Sequence, residues 1–245
     1  MNGINGLIMR VRDARGCAFY RDIWGGKREF AELPLITRKD FLRVPLSLRR
    51  YKKNERAFVK IVHDARGAFL SEWGFTDIGK EEYGLPAKRP MVYMSNPHEA
   101  IEKSMWCYER GMVPLIGEKD PDIAMFAAGK YQVDSLITDV AALEKFKPYF
   151  QAHERLSSIS ILGTSFDTDR LAQYAAYAET IRLVLALPEV GAFAQAELSE
   201  KSAFRALPGC IIEKEGTIIV SKTSFLTTPV IRYRTDIPAA TYDGA

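Results

Sequence analysis

The strongest constraint on the fold is an alternation of short apolar runs with helix-like segments that begins near residue 58. Strands separated by helices predict βαβ units, which place parallel strands in a buried sheet with right-handed crossovers. We therefore expect an α/β fold with a mainly parallel sheet flanked by helices. The runs predicted as strands are 58–63 (FVKIVH), 89–95 (RPMVYMS), 113–116 (VPLI), 132–137 (QVDSLI), 158–162 (SISIL) and 181–185 (IRLVL).

The helices between these runs carry local start and stop signals. Asn96-Pro97 supplies an N-cap and a proline at the first helical position, and Gly111 is the expected stop. Asp120 is the predicted cap of the next helix, and either Thr138 or Asp139 is the predicted cap of the third. Asp167 is the predicted cap of a fourth helix, which is expected to run through residue 178. These signals support the alternating α/β pattern.

The last part of the chain follows a different pattern. Residues 210–213 and 217–221 flank Glu215-Gly216, which predicts a hairpin, and residues 229–234 form one more predicted strand. An antiparallel β element is therefore expected at this end. The predicted organisation is an irregular, partly helical lead-in at 1–57, an α/β core at 58–205 and a small β element at 206–245.

Composition narrows the class of protein. The 34 basic and 31 acidic residues give a net charge of +3, too balanced to argue for a nucleic-acid partner. Three cysteines without a CxxC spacing favour a reducing compartment and argue against a zinc site. The longest apolar region, 181–198, is interrupted by Arg182, Pro188 and Glu189, so no membrane span is expected. With no signal peptide apparent, the expected location is the cytoplasm.

Three segments could carry ligand chemistry, each with a structural alternative. His63 ends a predicted strand, where α/β sheets bind ligands, or it is simply a histidine satisfied at a strand end. Gly163-Thr164 could present N–H and hydroxyl groups to an anion or a ribose, or form a turn and N-cap. Glu197, among small residues after a probable strand, could bind Mg²⁺ or be an exposed helical glutamate.

The predicted terminal strand is the most distinctive segment. Arg232 and Arg234 flank Tyr233, so strand geometry predicts both guanidinium groups on one face and the ring on the other. Asp236 follows this strand, where its carboxylate could bridge two ribose hydroxyls while the arginines meet phosphate or carboxylate. An ion pair on an edge strand is the alternative.

At this point the chain resembles a known family. Residues 229–236 (PVIRYRTD) are similar to the P-L-I-R-Y-R-T-G-D motif of adenylate-forming ligases, the acyl-CoA synthetase superfamily, and most of all to its phenylacetate–CoA ligase branch. Residues 19–21 and 33–41 are similar to that branch's lead-in. Gly163-Thr164-Ser165 falls where the family has Gly-Gly-Glu, and residues 193–197 where it has Tyr-Gly-x-Thr-Glu. In order, the resemblance covers most of residues 17–239.

The resemblance implies an activity and roles for particular residues. A carboxylic acid would attack ATP, giving an acyl-adenylate and pyrophosphate, and the acyl group would pass to a thiol such as coenzyme A. Asp236 would hold the ribose hydroxyls and Glu197 would coordinate Mg²⁺ as the catalytic carboxylate. Phe193 would lie against adenine, Gly163 and Thr164 would line the nucleotide, and Arg232 would support the nucleotide site.

Departures from the family pattern leave the activity open. Near residues 63–70 only Gly67 remains of the phosphate loop, Thr235 directly precedes Asp236, and Ala196 replaces the motif threonine. Nine residues follow Asp236, so the C-terminal lid domain with its adenylation lysine is expected to be absent. Because charge stabilisation dominates such chemistry, these losses would lower the rate severely.

Three hypotheses follow. The chain could be a short ligase that activates a carboxylic acid with ATP. It could instead be a catalytically inactive relative that serves as a ligand-binding or protein-interaction module. In the third, a separate polypeptide supplies the lid. A homodimer is also plausible, because the β element leaves an exposed strand edge.

Overall fold

A computed structural model of the chain describes residues 3–27, 29–51, 57–64, 66–74, 88–117, 119–199, 203–223 and 227–242. The chain forms two compact units. The first comprises Met1–Lys80, Pro188–Phe193 and Ala206–Ala245, and the second comprises Glu81–Leu187 and Ala194–Arg205. The three-part division made from the sequence stays a prediction.

The second unit contains most of a mainly parallel sheet, as predicted, although residues 191–193 of β8 and residue 206 of β9 belong to the first unit. The strand order is β4-β3-β5-β6-β7-β8-β9, and all four neighbouring pairs from β4 to β7 are parallel. A link of three residues, 188–190, joins β7 to its neighbour β8, which is too short for a parallel crossover, so β8 runs antiparallel. The strands are β3 (Pro90–Tyr93), β4 (Leu115–Ile116), β5 (Ser135–Asp139), β6 (Leu156–Gly163), β7 (Ala178–Leu187), β8 (Gly191–Glu197) and β9 (Arg205–Ala206).

Each helix that follows a parallel strand begins at a predicted cap. The side chains of Asn96, Asp120, Asp139 and Asp167 each accept a hydrogen bond from a backbone N–H in the first turn. The last of these helices ends sooner than expected, because the following 3₁₀ turn buries Tyr174 completely before β7 begins. In the numbering used here the helices are α5 (Pro97–Glu109), α6 (Pro121–Tyr131), α7 (Val140–Ala152) and α8 (Thr168–Ala172).

An aromatic cluster forms part of the core of the second unit. The ring of Phe146 is fully buried, and its centroid lies 5.4 Å from Tyr93, 4.7 Å from Tyr149 and 5.6 Å from Phe150. Phe150 also stacks on Tyr177, 5.4 Å away, at the end of the 3₁₀ turn. These contacts fix α7 against the parallel strands, since aromatic pairs contribute both buried area and a preferred geometry.

The first unit combines helices with two small antiparallel sheets. Its helices are α1 (Gly3–Arg15), α2 (Ala18–Trp24), α3 (Arg38–Leu42) and α4 (Leu46–Arg49). One sheet is the pair β1 (Ala57–Asp64) and β2 (Gly67–Gly74). The other is three-stranded, in the order β10 (Cys210–Glu215), β11 (Thr217–Lys222) and β12 (Tyr233–Pro238), as the hairpin signal predicted.

Two predictions for this unit are wrong in part. Residues 58–63 do form a strand, but β1 pairs with β2 in a hairpin, not with the parallel sheet. A register of Asp64 opposite Gly67 closes the hairpin, and Gly67 has a φ of +97° that a turn of this kind needs. The reason given for a ligand at His63, a loop after a parallel strand, therefore does not hold, and its side chain lies outside the described part.

The terminal strand starts later than predicted. Arg232 has a φ of +49°, so the backbone is left-handed there, and β12 begins at Tyr233. Asp236 consequently lies within the strand. The prediction that Arg232 and Arg234 share one strand face is wrong, because Arg232 lies before the strand. A hydrogen bond from the Arg232 N–H to Ser221 Oγ, 2.8 Å, holds this conformation.

The lead-in of the first unit is attached to this strand. The Ile36 N–H donates to the Arg232 carbonyl at 2.9 Å, and the Arg234 N–H donates to the Ile36 carbonyl at 2.7 Å. The Tyr233 ring is buried against Phe41, with centroids 5.7 Å apart. The buried Tyr20 hydroxyl donates to the Pro229 carbonyl at 2.6 Å. Residues far apart in sequence thus fix both the start and the register of β12.

Candidate functional site

A cavity of about 310 Å³ lies within the first unit. Among the described residues around it, the charged groups are mainly cationic, with a single carboxylate. Such a combination can bind an anionic ligand that also offers hydroxyl groups. Its lining residues are Thr37, Arg38, Lys39, Leu42, Arg66, Tyr233, Arg234 and Asp236.

The pleat of β12 directs Asp236 towards solvent. Tyr233, Thr235 and Ile237 alternate with it along the strand and are all buried. The Thr235 hydroxyl donates to the Ile218 carbonyl at 2.8 Å and accepts from the Ile237 N–H at 3.1 Å. These bonds fix the backbone on either side of Asp236, whose side chain is 80% exposed and available to a ligand.

A capping box positions the opposite wall of the cavity. Thr37 caps α3, its N–H donating to Asp40 Oδ2 at 2.9 Å and its hydroxyl accepting from the Asp40 N–H at 3.4 Å. Reciprocal bonds of this kind fix the first turn of a helix. Arg38 and Lys39 occupy that turn, so their directions are set by the box.

A buried carboxylate lies behind the cavity. Glu189, in the link between β7 and β8, has a fully buried side chain. Arg38 Nη1 lies 2.9 Å and Arg66 Nη2 3.3 Å from its oxygens, and Arg66 Nη1 reaches Asp236 at 3.4 Å. Arg66 therefore connects a buried carboxylate with an exposed one.

Tyr233 shares this environment. Burial raises the pKa of its phenol well above the ordinary value, and the negative charge of Glu189 together with a hydrogen bond to that carboxylate raises it further. The hydroxyl therefore stays protonated and donates to Glu189. Two guanidinium groups and one hydroxyl thus surround this carboxylate, which compensates the cost of burying its charge.

Sequence reasoning did not identify Glu189 as a site residue. One signal was present. Residues 185–189 (Leu-Ala-Leu-Pro-Glu) can also be set against the Tyr-Gly-x-Thr-Glu pattern, and Glu189 then takes the position of its final glutamate. This alternative puts the carboxylate directly after a parallel strand, in contact with Arg66. When residues 193–197 are set against the pattern instead, its final glutamate corresponds to Glu197, the last residue of β8.

The remaining predicted residues occupy varied positions. Gly163 ends β6, where an added Cβ would lie 3.1 Å from the Phe166 ring, and Thr164 is exposed directly after it. Asp167 then caps α8, so the segment does form the turn and N-cap of the structural alternative. Phe193 is fully buried in β8 and presents no exposed ring face, so its contact with adenine stays a prediction.

Arg232 is held by protein groups. Its Nε donates to Glu213 at 3.2 Å, and its Nη1 donates to the carbonyls of Ala31 and Leu33 at 2.9 and 2.6 Å. This side chain binds the lead-in to the β sheet, which accords with a supporting role rather than with direct chemistry.

Glu197 is exposed at the end of β8. Within the described ranges, no group of three or more His, Cys, Asp or Glu side chains could hold a metal ion. Gly163, Thr164 and Glu197 belong to the second unit, whereas Phe193, Arg232 and Asp236 belong to the first. A joint site of these six residues therefore stays a prediction.

No protein-family model and no curated protein matches the sequence. Solved structures do match. The N-terminal subdomain of NpsA from Klebsiella oxytoca, in complex with 3-hydroxybenzoyl-AMSN, matches 73% of this chain and 59% of its own at a TM-score of 0.55 and 13% identity. Unliganded O-succinylbenzoate coenzyme A synthetase (MenE) from Bacillus subtilis matches 70% and 42% at a TM-score of 0.53 and 9% identity.

The same Bacillus subtilis synthetase in complex with ATP and a magnesium ion matches 71% of this chain and 42% of its own, with a TM-score of 0.54 and 11% identity. At such identities the likeness concerns the fold alone. The chain has the fold of the N-terminal domain of adenylate-forming ligases, and it spans about half the length of these neighbours. In the described part of the chain, every helix is too short or too polar to span a bilayer.

Proposed function

We propose that the cavity beside Asp236 binds an adenine nucleotide, in a protein related to the adenylate-forming ligases and similar to the phenylacetate–CoA ligase branch. The observation that carries this is the exposed carboxylate of Asp236, fixed by β12 at the edge of a cationic cavity. The fold adds support, because its neighbours include complexes with ATP and with an acyl-AMSN ligand.

The cavity offers the nucleotide two kinds of charged group, a carboxylate for the ribose and cations for the phosphate. Asp236 accepts hydrogen bonds from the two ribose hydroxyls, because an exposed carboxylate has free lone pairs on both oxygens. Arg66 and Lys39 attract the phosphate, since guanidinium and ammonium groups are its usual partners. The roles of Gly163, Thr164 and Phe193 towards the nucleotide are proposals that rest on the resemblance.

The residues present do not fit Mg²⁺ well. The cation prefers several oxygen ligands, including at least one free carboxylate. Glu189 faces Arg38, Arg66 and the Tyr233 hydroxyl, so its oxygens are already engaged. The resemblance assigns the metal to Glu197, and that assignment remains a proposal, since the described residues around the same cavity include no further carboxylate.

A second candidate is a catalytically inactive relative that binds its ligand without turnover. The neutralised carboxylate of Glu189 favours it, because a residue in such an ion cluster cannot readily take a metal ion. The third candidate, a ligase completed by a lid from another polypeptide or by a second copy, shares the same nucleotide site. We propose a cytoplasmic location for all three.

Nucleotide binding is tested first, by calorimetric titration of the full chain with AMP and with 3′-deoxy-AMP. The unmodified protein should bind AMP about tenfold more tightly than 3′-deoxy-AMP, because the deoxy ligand lacks one of the two hydroxyls that bond the Asp236 carboxylate. Asp236→Ala should weaken AMP binding and remove the difference between the ligands. Asp22→Ala, which removes an exposed carboxylate on α2 of the same unit and outside the cavity lining, is the matched control. Equal affinities in the unmodified protein would contradict the ribose contact.

Activity is a separate measurement. ATP–pyrophosphate exchange with aromatic and fatty acids, followed by thioester formation with coenzyme A, identifies an active ligase. Nucleotide binding without exchange supports the inactive relative. Exchange that returns only when a second polypeptide is added supports the divided enzyme.

A further inference from the structure

A second cavity, of about 420 Å³, lies within the second unit. Its volume falls in the range of small-molecule sites. None of the residues around the Asp236 cavity takes part in it. Its polar and small lining residues include Arg182, Gln195, Glu197, Ser199, Ala203 and Arg205.

Neighbouring strands position these groups. Arg182 lies on β7, and Gln195 and Glu197 lie on one face of β8, since residues two apart point the same way. A hydrogen bond from the Leu198 N–H to the Ile181 carbonyl, 2.8 Å, joins the two strands beside the cavity. Arg205 lies on β9, next to β8 in the sheet. The arrangement is therefore part of the sheet itself.

Two polar atoms in this wall are buried without a partner. Among the described residues, nothing forms a hydrogen bond with Arg182 Nη1 or with Gln195 Oε1. A buried donor or acceptor left unpaired costs free energy, and folded proteins satisfy most such groups. Neither atom is accessible from the cavity, so a ligand there would bond the accessible polar groups of the lining, chief among them the exposed side chains of Glu197 and Arg205.

The chemistry of the lining defines that ligand. The described lining residues contribute two guanidinium groups and one carboxylate, and a guanidinium pairs best with a carboxylate or a phosphate. The carboxylate of Glu197 accepts hydrogen bonds, so a ligand that also carries a donor fits this lining best. We propose that this cavity binds a small organic carboxylate bearing a hydroxyl or amino group.

An anion fits better than a metal ion. A divalent cation would need several oxygen ligands and would be repelled by Arg182 and Arg205. Glu197, which the resemblance assigns to Mg²⁺, is the one carboxylate among the described residues of this lining. In the present proposal it faces the donor group of the ligand. The proposal does not depend on nucleotide binding at Asp236.

Calorimetric titration of the full chain tests it with matched acids. Lactate and malate carry a hydroxyl and alanine and aspartate an ammonium group, whereas propionate and succinate lack either donor. At least one donor-bearing acid should bind, and about tenfold more tightly than its matched acid. Binding of inorganic phosphate alone, equal binding of a matched pair, or no binding by any acid would overturn the proposal.

Substitutions locate the site. Arg182→Met should weaken binding about tenfold or more, and Glu197→Met should remove the preference for donor-bearing acids. Arg205→Met should also weaken binding. Because Arg205 is exposed, this variant should fold and can locate the site even if Arg182→Met does not fold. Arg170→Met, outside the cavity, is the control. Undiminished binding by Arg205→Met would overturn the assignment.

Discussion

The guanidinium of Arg66 bonds the fully buried carboxylate of Glu189 at 3.3 Å. Through its other terminal nitrogen it also reaches the exposed carboxylate of Asp236 at 3.4 Å. One side chain thus connects the interior of the first unit with the proposed nucleotide site. Glu189 serves mainly to hold cations in place, whereas Asp236 keeps a carboxylate free for a ligand.

The first prediction concerns the stability that Glu189 provides. Glu189→Ala leaves Arg38 buried without its carboxylate, and removing one partner of a buried pair costs about 3–5 kcal/mol. We expect a lower urea midpoint for the first unit, measured by fluorescence or circular dichroism. The exposed pair Arg234–Glu215 is the control, since Glu215→Ala should cost about 1 kcal/mol or less. Similar losses in both variants would contradict the structural role of Glu189.

A second prediction concerns Arg232, which binds Glu213 and two backbone carbonyls of the lead-in. Arg232→Lys keeps the charge but loses the planar fork, so not all of these bonds can form at once. We expect a loss of about 1–3 kcal/mol in the free energy of unfolding. The affinity for AMP should change little, because Arg232 is not among the described residues that line the Asp236 cavity. A large loss of affinity in a stably folded variant would instead indicate direct contact with the nucleotide.

The third prediction is alkaline unfolding of the first unit. Burial raises the pKa of Tyr20 and of Tyr233 well above the ordinary value of 10.0. The unfolded chain therefore loses these protons first, and stability falls as pH rises above about 10. Below that pH both phenols are protonated in either state, so they give no slope. Urea unfolding at a series of pH values measures the effect.

Tyr233→Phe separates the contribution of one phenol. Its removal should reduce the slope of stability against pH by about 1.4 kcal/mol per unit in the alkaline range. The unmodified protein, measured over the same pH series, serves as the control. An unchanged slope in Tyr233→Phe would show that this phenol ionises as readily in the folded protein as in the unfolded chain.

The fourth prediction concerns thiol reactivity. Burial raises the pKa of Cys17 and of Cys107 to about 12, with Asp13 adding to the shift at Cys17. At pH 8 few of these thiols are ionised, and both are shielded from reagent, so iodoacetamide should modify them only after unfolding. Cys210 is half-buried and should react first. Mass spectrometry identifies the modified site, and rapid labelling of Cys107 in the native protein would contradict the prediction.

Because Cys17 and Cys107 belong to different units, the same labelling in a urea series reports on each unit separately. Coincident labelling indicates cooperative unfolding of the whole chain. Labelling at two urea concentrations indicates that one unit opens before the other.

The local signals in the sequence predicted much of the second unit. Asn96, Asp120, Asp139 and Asp167 all cap helices as expected, because a cap depends on a side chain and on backbone N–H groups two or three residues away. The apolar runs at 132–137 and 158–162 supply the buried strands β5 and β6 for the same local reason. The alternation then favours a parallel sheet through the handedness of its crossovers.

The nature of the candidate site was only partly predictable. The Arg-rich segment and Asp236 could be identified from their residue types and spacing, and the cavity beside Asp236 accords with that. The sequence did not reveal that Arg232 adopts a left-handed backbone, because Ser221, Ala31 and Leu33 are distant partners. Nor did it reveal the cavity around Arg182, which needs three strands side by side.

Taken alone, the sequence determined the helix starts, most strands of the parallel sheet and the terminal hairpin, since these follow from periodicity, capping and short-range spacing. The tertiary structure decided which charges meet. Residues 38, 66, 189 and 236 are spread along almost the whole chain, and no local pattern specifies that they come together. Only the packing of the hairpin, the short helix and β12 against one another brings these groups within hydrogen-bond distance, because electrostatic contacts of this range depend on the folded backbone.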